Sequence, residues 1–235
     1  MNTNMKTVNA FQRSGFRSRD RAMGMVGAWT VFVVNEAYAV TSGLGYLSVK
    51  APSDPISDPY LSIMSLLIVL MAPFLVITMV AVHTYAAAEH KPNSLAALAF
   101  MILLAGITSS VNFALFAVAR QPNPLSSQWV LSYITSGWPP LPQALDFFAW
   151  DWFFALSMLF ASPVFRGGKL ENAVRAFMLL TAVLCLFALA WFPVSPPQAT
   201  IIGTIGWGVA GPIVFLLLAN FFTRIQPDPG PFPAA

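Results

Sequence analysis

Three carboxylates stand where acids are costly. The run LDFFAWDWFF, residues 145–154, places Asp146 and Asp151 in an apolar stretch that continues to Phe160, and Glu36 interrupts WTVFVVNEAYAV, residues 29–40. Neither run contains Lys or Arg. An acid so placed can keep a proton, bind a cation, or share a proton with a second acid. A carboxyl that gives and takes a proton in a dry aromatic cavity can protonate an alkene or assist an isomerisation. Ring faces such as Trp150 and Trp152 would steady the developing cation. The same acid could instead carry a proton or cation during alternating access. It could also be polar glue between helices, worth about 0.6–2 kcal/mol.

The elements that must position these acids follow from composition. Hydrophobic residues make up 57% of the chain and charged ones only 9%, against about a quarter charged in a soluble domain. A water-facing surface cannot be built from that, whereas a bilayer core of about 30 Å asks for roughly 20 apolar residues per helix. Continuous runs of that length predict an all-α polytopic bundle of six transmembrane helices, approximately 23–49, 60–87, 94–119, 142–164, 175–193 and 200–223. The runs do not alternate and are too long for barrel strands.

Charge placement tests the count, because cytoplasmic loops collect Lys and Arg. With both termini inside, Lys6, Arg13, Arg17, Arg19, Arg21, Lys91, Arg166, Lys169, Arg175 and Arg224 fall on the inner side, and only Lys50 and Arg120 fall outside. The expected setting is a cell membrane, the bacterial inner membrane. The net charge of +3 then reflects topology and anionic headgroups rather than nucleic acid. Ala37-Tyr38-Ala39 after a basic segment imitates a signal-peptide cleavage site. The long basic region, the interruption at Glu36 and the continuation to Val49 favour a retained helix. Residues 1–22 read as a basic cytoplasmic arm, 120–141 as an outer interfacial loop with Trp129, Tyr133 and Trp138 at headgroup level, and 224–235 as a Pro-rich tail.

Within this frame Glu36 lies about 13 residues into the first helix, roughly 20 Å deep. Asn35, Tyr38 and Thr41 surround it. Asp151 lies close to the middle of the fourth helix with Phe147, Phe148, Phe154 and Ala155 as its neighbours one turn away. Asp146 falls in the second turn after Pro142, where the helix dipole favours an anion and water is near, and is expected to be structural. Five residues put the two aspartates about 140° apart on an α-helix, which argues against a paired-aspartate site. The expected catalytic pair is Glu36 and Asp151 sharing one interior cavity, with Asn35, Tyr38, Ser109, Asn112, Trp150 and Phe154 as substrate-binding residues. The polar run TSSVN, residues 108–112, would complete that cavity. Moving 115 positions carries Glu36 onto Asp151, a weak echo of an inverted repeat.

Several chemistries are not indicated. Cys185 is the single cysteine and the two histidines, His83 and His90, meet no metal-site spacing. No phosphate loop, zinc motif or nucleophile elbow occurs, and no metal or cofactor is expected. The stretch WPPLPQALDFFAWDWFFALSMLFASPVF, residues 138–165, resembles segments of uncharacterised small multi-pass bacterial membrane proteins. That resemblance implies the topology and no activity. The functional expectation is a membrane enzyme acting on a lipid or isoprenoid-like substrate by proton transfer. Its alternatives are a small proton- or cation-coupled transporter and a non-catalytic partner subunit. Expected partners are membrane lipids, an apolar small molecule, and a second copy or another membrane subunit.

Overall fold

The computed structural model describes residues 16–50, 56–119 and 139–226. All of the regular structure in these residues is helical. Six helices are long and apolar enough to cross a membrane. They are α1 (Ser18–Ser48), α2 (Tyr60–Tyr85), α3 (Lys91–Ala119), α4 (Leu141–Val164), α5 (Lys169–Trp191) and α6 (Pro196–Arg224). These boundaries lie close to the expected runs. The main differences are that α1 starts at Ser18 rather than 23, so residues 18–22 of the expected arm are helical, and that α5 starts at Lys169 rather than 175. Both extensions are polar first turns, which a search for apolar runs passes over. The loop aromatics Trp129, Tyr133 and Trp138 and the tail from 227 lie outside the described residues.

Neighbours in sequence are neighbours in space, and α6 returns to pack on α1, so the helices close a ring. The short connections, of α2 to α3, α4 to α5 and α5 to α6, leave those pairs antiparallel. The ring is tightest where α1 meets α2. A Cβ at Gly27 would fall 2.6 Å from the Thr78 hydroxyl oxygen and 3.3 Å from the Phe74 carbonyl, so only glycine allows the two backbones to approach this far.

One end of the bundle is tied by side chains that satisfy orphaned helix-end groups. Arg21 donates through Nε to the Phe222 carbonyl and through Nη2 to the Thr223 carbonyl, each at 3.0 Å, placing a cation at the negative end of α6. Lys91 does the same for α2 by donating to the His83 and Thr84 carbonyls. Glu171 accepts the Gly168 N–H at the start of α5 (2.9 Å) and the Tyr85 hydroxyl at the end of α2 (2.7 Å). Rings of Phe16, Tyr85, Phe165, Phe221 and Phe222 pack edge-on and face-on beneath these caps. Among the described residues, this end gathers Arg17, Arg19, Arg21, Lys91, Arg166, Lys169, Arg175 and Arg224, and the opposite end holds Lys50.

Two helices depart from α geometry at mid-span. In α4, residues Ala149–Phe154 form a π-helical segment between α-helical Leu141–Phe148 and Ala155–Ala161. In α6, residues Ile205–Ala210 do the same between Pro196–Thr204 and Gly211–Arg224. Proline at 212 has no N–H for the carbonyl four residues back, and glycines at 206 and 208 offer little resistance, so α6 widens there. The α4 segment AWDWFF contains neither residue type.

A candidate proton site in the middle of α4

Asp151 sits inside the α4 π segment and is 3% exposed. Its carboxyl is pressed onto α6, where a Cβ added to Gly203 would meet Oδ1 at 2.7 Å and Oδ2 at 3.0 Å. Glycine at 203 therefore makes room for the acid. On α5, Cys185 lies within electrostatic reach of Asp151 and is itself packed on Gly206. Oδ1 of Asp151 has no hydrogen-bond partner, and the only other buried side-chain oxygen in that position among the described residues is Thr181 Oγ1, one turn from Cys185 on α5. Buried polar atoms are nearly always paired, so an unpaired carboxyl oxygen at mid-span is the exception that sets Asp151 apart.

Asp146 looks the other way. Its Oδ1 accepts from the Thr108 hydroxyl and, at 3.4 Å, from Asn112 Nδ2, both on α3. Trp150 Nε1 donates to the same Thr108 oxygen at 3.2 Å, and Asn112 also donates to the Thr108 carbonyl at 2.9 Å. Tyr38 of α1 is half-buried and within electrostatic reach of Asp146. The TSSVN run is thus the hydrogen-bonding wall of Asp146, and Thr108 and Asn112 reach it because they are one turn apart on one face of α3.

Between the two acids, Trp150 joins a central aromatic group. Its ring lies 5.2 Å from Phe154 and 5.9 Å from Trp207 in the α6 π segment. With Asn35, Leu75 and Phe215 these rings line a cavity of about 10 Å³, which is near the least space a single water occupies. A second, open groove of about 260 Å³ runs between α3 and the start of α4, lined by Ser110, Val111, Ala114, Leu115, Leu141, Pro142 and Leu145.

The expected site is therefore divided. Asp151, Asn35, Trp150, Phe154 and Asn112 are buried, Tyr38 and Ser109 are half-buried, and Glu36 is exposed. Glu36 and Asp151 do not share an interior cavity: Glu36 lies on the outward face of α1. The next residue inward, Asn35, is the one that turns to the centre, because consecutive residues on a helix point about 100° apart. Asn112 serves Asp146 instead of Asp151, and Ser109 contributes no hydrogen bond to either acid. Sequence reasoning missed Thr108 and Gly203 as the residues in contact with the two aspartates. His83 is held by Ser94 at 2.9 Å and His90 pairs with Glu89 at 3.1 Å, both at the basic end.

Six membrane-length helices closed in a ring, with a buried acid at mid-span of α4, have the makeup of a multi-pass membrane protein. No family model, curated protein or solved structure matches the chain, and the functional reading rests on the chemistry of α4.

Proposed function

We propose that this is a multi-pass protein of the bacterial inner membrane that takes up and releases a proton at Asp151 in the course of moving a solute across the bilayer. The observation that carries the reading is the buried, unpartnered Oδ1 of Asp151, set in the π segment of α4 and pressed against Gly203 of α6. A proton needs one carboxylate oxygen, whereas a hard cation needs about six oxygen ligands. Acids without a basic partner at this depth are the usual proton relays of pumps and transporters. A π segment holds one residue more per turn than the flanking helix, so its conversion to α geometry would swing Asp151 relative to α5 and α6. That motion supplies a way to face each side in turn. Both termini are assigned to the cytoplasm, supported by the gathering of basic residues at one end.

Purified protein reconstituted in liposomes with an internal pH-sensitive dye tests the reading. Under an imposed potassium diffusion potential, the protein should accelerate proton entry, and Asp151→Asn should remove most of that acceleration. Equal flux through the variant, or none through the wild type, overturns it.

The open groove between α3 and α4 favours a second reading, an enzyme acting on a lipid or isoprenoid-like chain. The groove walls are apolar apart from Ser110, and Asp146 with its hydrogen bonds lies on the same pair of helices. A co-purifying lipid seen by native mass spectrometry, and lost on Leu145→Trp, supports this reading. A lipid-free protein counts against it.

A further inference from the structure

Glu36 is out of place on a bundle facing lipid. It is exposed near the middle of α1, and no described residue hydrogen-bonds it. Ionisable groups at membrane depth cost about 2.5–3.5 kcal/mol and almost always face protein or water. Val26, Val33, Val40 and Leu47 recur every seven residues, and Trp29, Glu36 and Gly43 recur every seven residues between them. All seven are exposed. Alternating steps of three and four over three heptads form the seam of a two-stranded coiled coil, with β-branched residues at the positions that favour dimers. The valines take one of the two seam positions and Glu36 the other, where it would meet its own equivalent across a parallel pair. Around Gly43 nothing lies within 4 Å of the place a Cβ would occupy, so a second backbone can approach there.

We infer that two copies of this chain associate in parallel through the α1 seam, with their Glu36 carboxyls hydrogen-bonded to each other. A second copy is the occupant that the chemistry favours. In a parallel two-fold pair each seam residue meets its own equivalent at the same depth. A carboxyl holding its proton both donates and accepts, so a pair closes on itself without a base. None of the basic residues among the described ones lies at mid-span.

The test needs no activity. Cysteines are introduced one at a time at Val33 and Val40 in the seam and at Val183, an exposed residue of α5, and oxidised in native membranes. The buried Cys185 makes the unaltered chain the background control. Disulfide-linked homodimers should form at Val33→Cys and Val40→Cys and not at Val183→Cys. In the Val33→Cys chain, Glu36→Gln should keep the dimer, and Glu36→Ala should lower its yield about three- to tenfold, the loss of the interhelical carboxyl pair. Crosslinking at Val183 alone, crosslinking to a different protein, or a yield unchanged by Glu36→Ala overturns the inference. Failure of Glu36→Gln to dimerise does so as well.

Discussion

Asp146 and Asp151 are the same residue type on the same helix, five positions apart, and the bundle treats them in opposite ways. Asp146 faces α3 and accepts two side-chain donors. Asp151 faces α5 and α6, touches glycine backbone, and leaves one oxygen bare. The difference teaches that an acid set deep in the bundle is not functional on that account alone. What separates the two is whether the surrounding fold has supplied permanent hydrogen-bond donors. On the proposed reading, Asp146, with donors on its Oδ1, holds helices together, and Asp151 is the acid that exchanges a proton.

The largest expected effect breaks the comparison or secures it. Asp151→Asn should cut reconstituted proton flux by at least tenfold, while Asp146→Asn should leave most of it, since an amide oxygen still accepts from Thr108. A reversed pattern would assign the working acid to the α3 side.

Gly203→Ala comes next. The added methyl would fall 2.7 Å from Asp151 Oδ1, inside van der Waals contact, so helix or side chain must shift. Overpacking of this kind costs about 1–3 kcal/mol, read as a lowered unfolding midpoint in detergent. Asp151→Ala in the same chain should recover most of that loss by opening the space. An absence of recovery would mean that Gly203 serves another contact.

Stability should separate the two acids in the opposite order from flux. Asp146→Ala leaves the Thr108 hydroxyl without its acceptor, at about 1–3 kcal/mol, while Asn112 keeps the Thr108 carbonyl. Asp151→Ala removes a buried oxygen that has no partner to orphan, so it should cost less than Asp146→Ala in paired thermal unfolding experiments. Equal losses would show that Asp151 has structural partners of its own.

Much of this was legible in the sequence. The six spans follow from run length, and the separation of the two aspartates follows from five residues of helix, even though the intervening π segment alters the angle. The interior position of Asp151 was also readable from its depth and lack of a basic partner. The outward turn of Glu36 was not, because α1 is apolar around most of its circumference and a lipid-facing side cannot be told from a packed one by hydropathy. Pairing of TSSVN with Asp146 was hidden for another reason. It depends on which face of α3 meets α4, a contact spanning 34 to 38 positions. The glycines and proline of α6 announced an irregular helix, whereas AWDWFF gave no such sign in α4.

The smallest expected effect sharpens the comparison most finely, because Trp150 belongs to both sides of α4. Its N–H serves Thr108, which in turn donates to Asp146, while its ring packs on Phe154 and Trp207 beside the central cavity. Trp150→Phe deletes the N–H and keeps an aromatic ring. Losing one neutral hydrogen bond costs about 0.5–1.5 kcal/mol, and the Thr108 oxygen keeps Asn112 Nδ2 nearby at 3.4 Å. The variant should therefore unfold slightly earlier than wild type and conduct protons as before. Should flux instead fall as far as in Asp151→Asn, the tryptophan N–H, Thr108 and Asp146 would form one path with Asp151. The two acids would then be parts of a single site rather than a strut and a switch.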